Sequence, residues 1–215
     1  MAGFFEEIGI DVNNEELNKP QQVNTGGGLL APGVYKMTID KVYATKADSG
    51  AVRLNAELKF KREDGSEGTF FWNTYVKSGD AKGNKATYTD KNGKEVPLPG
   101  VIEMRHFFKA AGVENPEIKD AVIEVFGEQT PVKALPELTG KVVTVGVRHQ
   151  YDDYREKDVA FVDTFLDKDG KNSDGEFLED KLKEKIEKSP FKEGKKKKKE
   201  EPKQEQTNLE ANPWA

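Results

Sequence analysis

The chain has 215 residues, with 34 Lys and Arg against 39 Asp and Glu, a formal net charge of −5, two His and no Cys. Without cysteine there is no disulfide framework, Cys-ligated zinc site, iron–sulfur cluster or thiol nucleophile, and a thiol-free chain fits the cytoplasm. Hydrophobic residues make up 35%, which predicts one modest core with polar appendages rather than two full cores.

Residues 1–28 carry five acids and one base and end in NTGGG, so they read as a flexible acidic arm. Their start is acidic and lacks the basic n-region of a signal peptide. Within the arm, Phe4, Phe5, Ile8 and Ile10 could form one helical turn that docks on something.

Residues 29–166 are a different material. APGVYKMTIDKVYA alternates, with Tyr35, Met37, Ile39 and Lys41 on one face. Val52, Leu54, Ala56, Leu58 and Phe60 then alternate with Arg53, Asn55, Glu57, Lys59 and Lys61, the clearest period-2 strand in the chain. An Asp64-Gly65 turn leads into TFFWNTYVK, an aromatic third strand, and Asn92-Gly93 marks a small hairpin. VIEMRHFFKAAG places Val101, Met104, Phe108 and Ala111 at helical spacing and closes on Gly112. Asn115-Pro116-Glu117 has the form of a helix start, predicting a second short helix. ELTGKVVTVGVRHQYDDYREKDVAFVDTFL reads as two strands around a turn near Asp152-Asp153. The prediction is a mostly-β domain of about five principal strands, with one or two short helices between the third and fourth.

From Asp167 to Ala215 the chain is rich in Lys, Glu, Gly, Asn and Ser, the composition of a charged and largely disordered tail. Phe177, Leu178, Leu182 and Ile186 fall at helical spacing, allowing a short amphipathic helix. After the run Lys195–Lys199 the tail ends in Asn212-Pro213-Trp214-Ala215. A tryptophan there contributes nothing to a core and suits an anchor that a partner captures. No apolar run approaches the about 20 residues of a membrane span, so a soluble protein without membrane association is expected.

Catalysis needs convergent titratable groups, a nucleophile or a metal. His106 and His149 are isolated, and no phosphate-binding loop is present: Gly26–Gly28 precede a strand rather than open a helix. DKDGKNSDGEFLE imitates a calcium loop, but Lys171, Asn172 and Leu178 stand where an oxygen ligand, the turn glycine and the bidentate Glu belong. The expectation is a non-enzyme with no catalytic residue, metal or cofactor.

A binding surface is better supported. In TFFWNTYVK, Phe70 and Trp72 share one face, Phe71 and Tyr75 the other, and a half-exposed strand needs only one apolar face. One aromatic set could stack nucleobases, with Trp72 and Tyr75 the candidates, one from each face. The rival reading buries both faces. Lys77, Lys82 and Lys85, with Tyr88 and then Lys91 and Lys94, form a loop suited to a phosphate backbone or merely solvated. Arg148, His149, Tyr151, Tyr154 and Arg155 repeat the theme at the last turn, and Arg53, Lys59, Lys61 and Arg62 add bases to the strict strand.

APGVYKMTIDKVYATKADSGAVRLNAELKFKREDG, FFWNTYV, the VIEMRHFFKAAGV helix and LTGKVVTVGVRHQYDDYREKDVAFVDTFLD together resemble the single-stranded-DNA-binding proteins of bacteriophages. The resemblance covers the middle domain and implies a five-stranded OB-fold-like barrel at 29–166. It also implies sequence-independent coating of single-stranded DNA during phage replication and recombination, in the cytoplasm of the infected bacterial host. The tail tip, Asn212, Pro213 and Trp214, is similar to the tip with which such proteins recruit phage or host replication proteins. The usual tip is strongly acidic, whereas Glu210 is the sole acid in the last nine residues here. The competing reading is a phage structural or adaptor β protein that binds no nucleic acid. The charge of −5 does not decide between them: it resides almost wholly in residues 1–28, and residues 29–166 hold 20 bases and 21 acids.

Overall fold

The computed structural model describes residues 3–11, 30–62, 65–125, 127–152 and 156–192. Its elements, in chain order, are α1 (Phe4–Glu7), β1 (Gly33–Lys46), β2 (Val52–Lys61), β3 (Glu67–Lys77), β4 (Thr87–Thr89), β5 (Glu95–Pro97) and α2 (Pro99–Ala110). There follow β6 (Lys119–Val125), β7 (Glu128–Ala134), β8 (Val142–Asp152), β9 (Lys157–Leu166), α3 (Glu179–Lys188) and β10 (Phe191–Lys192). The protein is mostly β, with antiparallel pairing throughout except for the short parallel pair of β10 with β8.

The alternation of residues 52–60 organises the sheet. Leu54, Ala56, Leu58 and Phe60 are buried, and β2 pairs with β1 on one side and β3 on the other. β1 is long enough to serve two neighbours along its far edge: residues 33–38 pair with β8, and Tyr43 and Ala44 pair with β7. A bulge at Asp40 separates these halves and bends the strand. With β9 beside β8, the main path is β9-β8-β1-β2-β3.

No ladder joins β3 to β9 among the described residues. Helix α2 lies there instead, its Val101, Met104, Phe107 and Phe108 turned into the core. Trp72 of β3, Phe107 of α2 and Phe165 of β9 form an aromatic triad with ring centroids 4.9–5.1 Å apart. The helix approaches closely because residue 100 is glycine: a Cβ there would sit 2.1 Å from the Tyr75 carbonyl oxygen. Gly112, at φ +71°, follows the helix in the left-handed conformation its sequence position predicts.

Three expectations change. The acidic arm is not separate from the domain over residues 3–11: Phe4, Phe5, Ile8 and Ile10 are buried in the main core, with Phe4 and Phe5 edge-on to Phe108. The rest of the arm, including Gly26–Gly28, lies outside the described residues. Asn115-Pro116-Glu117 starts no helix. Asn115 Oδ1 instead accepts the Phe5 amide and the Pro116 carbonyl accepts the Phe4 amide, capping α1 from across the fold. Residues 119–134 form the β6–β7 hairpin, because Ala121, Ile123 and Val125 alternate with Asp120, Val122 and Glu124.

The third change concerns residues 167–192. They are ordered against the sheet, starting with two turns in which Asp167 and Asn172 side chains accept nearby backbone amides. α3 then buries Leu182 and Ile186 against Leu166 and Val34, with Leu178 beside them, while Phe177 stays exposed. Gly146 permits this contact, since a Cβ would meet Leu182 at 2.8 Å. The lysine run 195–199 and the tip at Asn212, Pro213 and Trp214 lie outside the described residues. Among those described, no helix is long and apolar enough to cross a membrane.

Candidate nucleic-acid interface

Each half of the sheet has an inner face in the core, so function must be sought on the outer faces. These differ. Over β8 and β9 the outer face is covered by α3 and holds Arg148, Asp163 and Gly146. Over β1, β2 and β3 the register places three rows side by side: Lys41, Tyr43 and Thr45, then Glu57, Asn55 and Arg53, then Phe71, Asn73 and Tyr75.

The β6–β7 hairpin forms a wall along the first row. It leaves β1 after two pairs and turns back over the strand, so that Lys41 Nζ donates to the Glu124 carbonyl at 3.2 Å. Tyr43, although on the outer face, is only 4% exposed, and burial with the nearby Glu57 charge holds its hydroxyl above the usual tyrosine range. The third row is partly buried at Phe71 and Asn73 and exposed at Tyr75, which is 55% exposed directly opposite Arg53.

Charge on this face is partly neutralised. Lys41 pairs with Glu57 at 3.4 Å and Lys59 with Asp40 at 2.9 Å. Arg53, Lys61 and Lys77 form no ion pair among the described residues, nor does Lys46 at the end of β1. Arg62 is committed to its own turn, donating to Ser66 Oγ and the Glu67 carbonyl and lying 5.7 Å above the Phe60 ring. Lys82 and Lys85 are exposed on the loop after β3, and Tyr88 is exposed on β4. That loop packs on the β1–β2 turn through the bond from Asp80 N to Ser49 O.

Two predicted contacts are core residues. Trp72 is 1% exposed, because its side chain points inward from β3 against α2; it cannot stack on a ligand, and its Nε1 has no partner. Arg148 is 6% exposed beneath α3, where Nη1 reaches Asp163 Oδ1 at 3.2 Å and Nε donates to the Ser189 carbonyl at 2.7 Å. Lys185 of α3 meets the other Asp163 oxygen, so both cations neutralise one buried carboxylate. Tyr151 is half-buried near the end of β8, and His149 Nε2 bonds the Leu30 carbonyl. Tyr154 and Arg155 lie outside the described residues.

Sequence reasoning did not single out Asn55 and Asn73, which face each other across β2 and β3 at the centre of the open face. Asparagine is disfavoured inside strands, so two at matching outward positions were a usable signal. Behind them, Thr74 Oγ1 donates to Glu103 Oε2 at 2.6 Å, and burial pushes the Glu103 carboxyl up to about 7 against the opposing effect of that bond. No group of three or more His, Cys, Asp or Glu residues able to hold a metal occurs among the described residues.

No protein-family model matches this chain, and no curated protein matches it in sequence.

Proposed function

We propose that the protein binds single-stranded DNA on the outer face of β1, β2 and β3, without catalysis. The observation that carries this reading is exposed Tyr75 directly opposite Arg53, which forms no ion pair among the described residues, on a sheet whose other outer face is covered. Aromatic rings offer stacking to any base, and the bases along the edges attract phosphates. The strand path β9-β8-β1-β2-β3, with α2 filling the gap, fits the partly open five-stranded OB barrel, in which the faces of the second and third strands and the adjoining loops take oligonucleotides. In that arrangement Lys77, Lys82, Lys85 and Tyr88 flank one end of this face, and Lys59 and Lys61 flank the other. The role that follows is coating unpaired DNA in phage replication and recombination, with the residues after 192 recruiting replication proteins.

Fluorescence anisotropy of a labelled single-stranded oligonucleotide tests this. Binding that weakens as salt rises and exceeds binding to duplex supports the proposal. No binding at low salt rejects it and favours a structural or adaptor protein.

A further inference from the structure

The centre of the open face carries more hydrogen-bonding specificity than a stacking platform needs. Asn55 Nδ2 is fully engaged within the fold, donating to Thr45 Oγ1 at 3.1 Å and to the carbonyls of Arg53 and Tyr43 at 3.3 and 3.4 Å. An amide with its nitrogen tied down in this way has its oxygen direction assigned by the network. Asn55 Oδ1 is thus a fixed acceptor with no partner among the described residues, and it is not sealed from solvent. Directly opposite, the Asn73 side chain makes no hydrogen bond among the described residues and can turn either its donor or its acceptor toward a ligand. Cross-strand neighbours of this kind stand about 5 Å apart at Cβ, within reach of one base edge. Exposed Tyr75 lies two residues beyond Asn73 on the same face, so a base beside one stacked on Tyr75 would present its edge to this pair.

We infer that the cleft prefers bases bearing an exocyclic amino group next to a ring acceptor, cytosine and adenine, over uracil and thymine, through Asn55 and Asn73. Cytosine N4–H donates to Asn55 Oδ1 while Asn73 Nδ2–H donates to cytosine N3; adenine offers the same order with N6–H and N1. Held in the position cytosine takes, uracil sets its O4 against the fixed Asn55 oxygen, an acceptor facing an acceptor. Asn73 can rotate to meet the uracil N3–H, but Asn55 cannot follow without giving up its bonds to β1. This specificity rests on the binding site proposed above and replaces strict sequence independence with a graded base preference.

The pyrimidine pair provides the test, because cytosine and uracil differ little in size. Labelled (dC)12 and (dU)12 are titrated with the full chain at pH 7.5, together with a (dC)12 carrying N4,N4-dimethylcytosine, which stacks but has no N4–H. We expect (dC)12 to bind about five- to tenfold more tightly than (dU)12, with the dimethylated strand falling to the (dU)12 level. Asn73→Ala should weaken both (dC)12 and (dU)12 while keeping most of their ratio, because Asn73 turns to meet either base and Asn55 carries the discrimination, with the melting temperature unchanged. Equal affinity for (dC)12 and (dU)12, or for (dC)12 and its dimethylated form, overturns the inference while leaving the binding site intact. Binding of none of the three overturns the site as well. The dimethylated ligand probes Asn55 without altering a residue that also ties β1 to β2.

Discussion

The two outer faces of this one sheet carry similar chemistry in opposite surroundings. β8 presents Arg148 outward, and β2 presents Arg53 outward. α3 covers the first, and the arginine becomes a buried partner of Asp163 and Ser189. No helix covers the second among the described residues, and Arg53, beside an exposed tyrosine, forms no ion pair among them. What an arginine on a strand does is decided by what lies above it, not by the strand.

Substitutions that break the comparison should do so unequally. Arg148→Ala removes one of the cations that neutralise the buried Asp163 carboxylate and should cost about 3–5 kcal/mol of stability, read as a lowered denaturant midpoint. Trp72→Ala should cost a similar about 3–5 kcal/mol by opening a cavity beside Phe107 and Phe165. Trp72→Phe should be much milder, since it also removes an unpartnered N–H. Neither Trp72 variant should alter oligonucleotide affinity of the folded fraction.

Glu103 supplies a pH test of the packing behind the open face. Its folded carboxyl titrates near 7, above its ordinary 4.5. The folded state therefore holds the proton more tightly than the unfolded chain. This contribution is fully present below about pH 4.5 and is lost as pH rises through about 7, a change of about 3 kcal/mol. Glu103→Gln should remove that dependence and be the more stable protein at pH 8, measured by thermal melting across pH 5–8.

Tyr75→Ala should be the mirror image of Arg148→Ala. It should weaken single-strand binding by about 1–3 kcal/mol and leave unfolding unchanged, because the ring packs against little.

Much of the scaffold was legible from side-chain period. The strict alternation at 52–60 identified β2 and both of its faces, and Val101, Met104, Phe108 and Ala111 are the buried stripe of α2 and its end. What alternation cannot reveal is which face of a doubly aromatic strand meets the core. Phe70 and Trp72 face inward because α2, about 30 residues later in the chain, closes that side. Asn115 misled for a physical reason: its side chain does cap a helix, but one built from residues at the far end of the chain. The packed segment after Asp167 was hidden by its charge, since only Leu182, Ile186 and half-buried Leu178 dock α3 among many lysines and glutamates. Asn55 and Asn73 were readable as misplaced strand residues, but their hydrogen-bond state needed the register.

The central claim is that one outer face binds a single strand and the other serves only the fold. Amide chemical-shift mapping of the full chain with unlabelled (dC)12 addresses both at once. The account predicts shifts at Arg53, Asn55, Phe71, Asn73 and Tyr75 that saturate together, with α3 and Arg148 unmoved. Shifts centred on α3 and β8 with none on β2 and β3, or no shifts at saturating oligonucleotide, would contradict it.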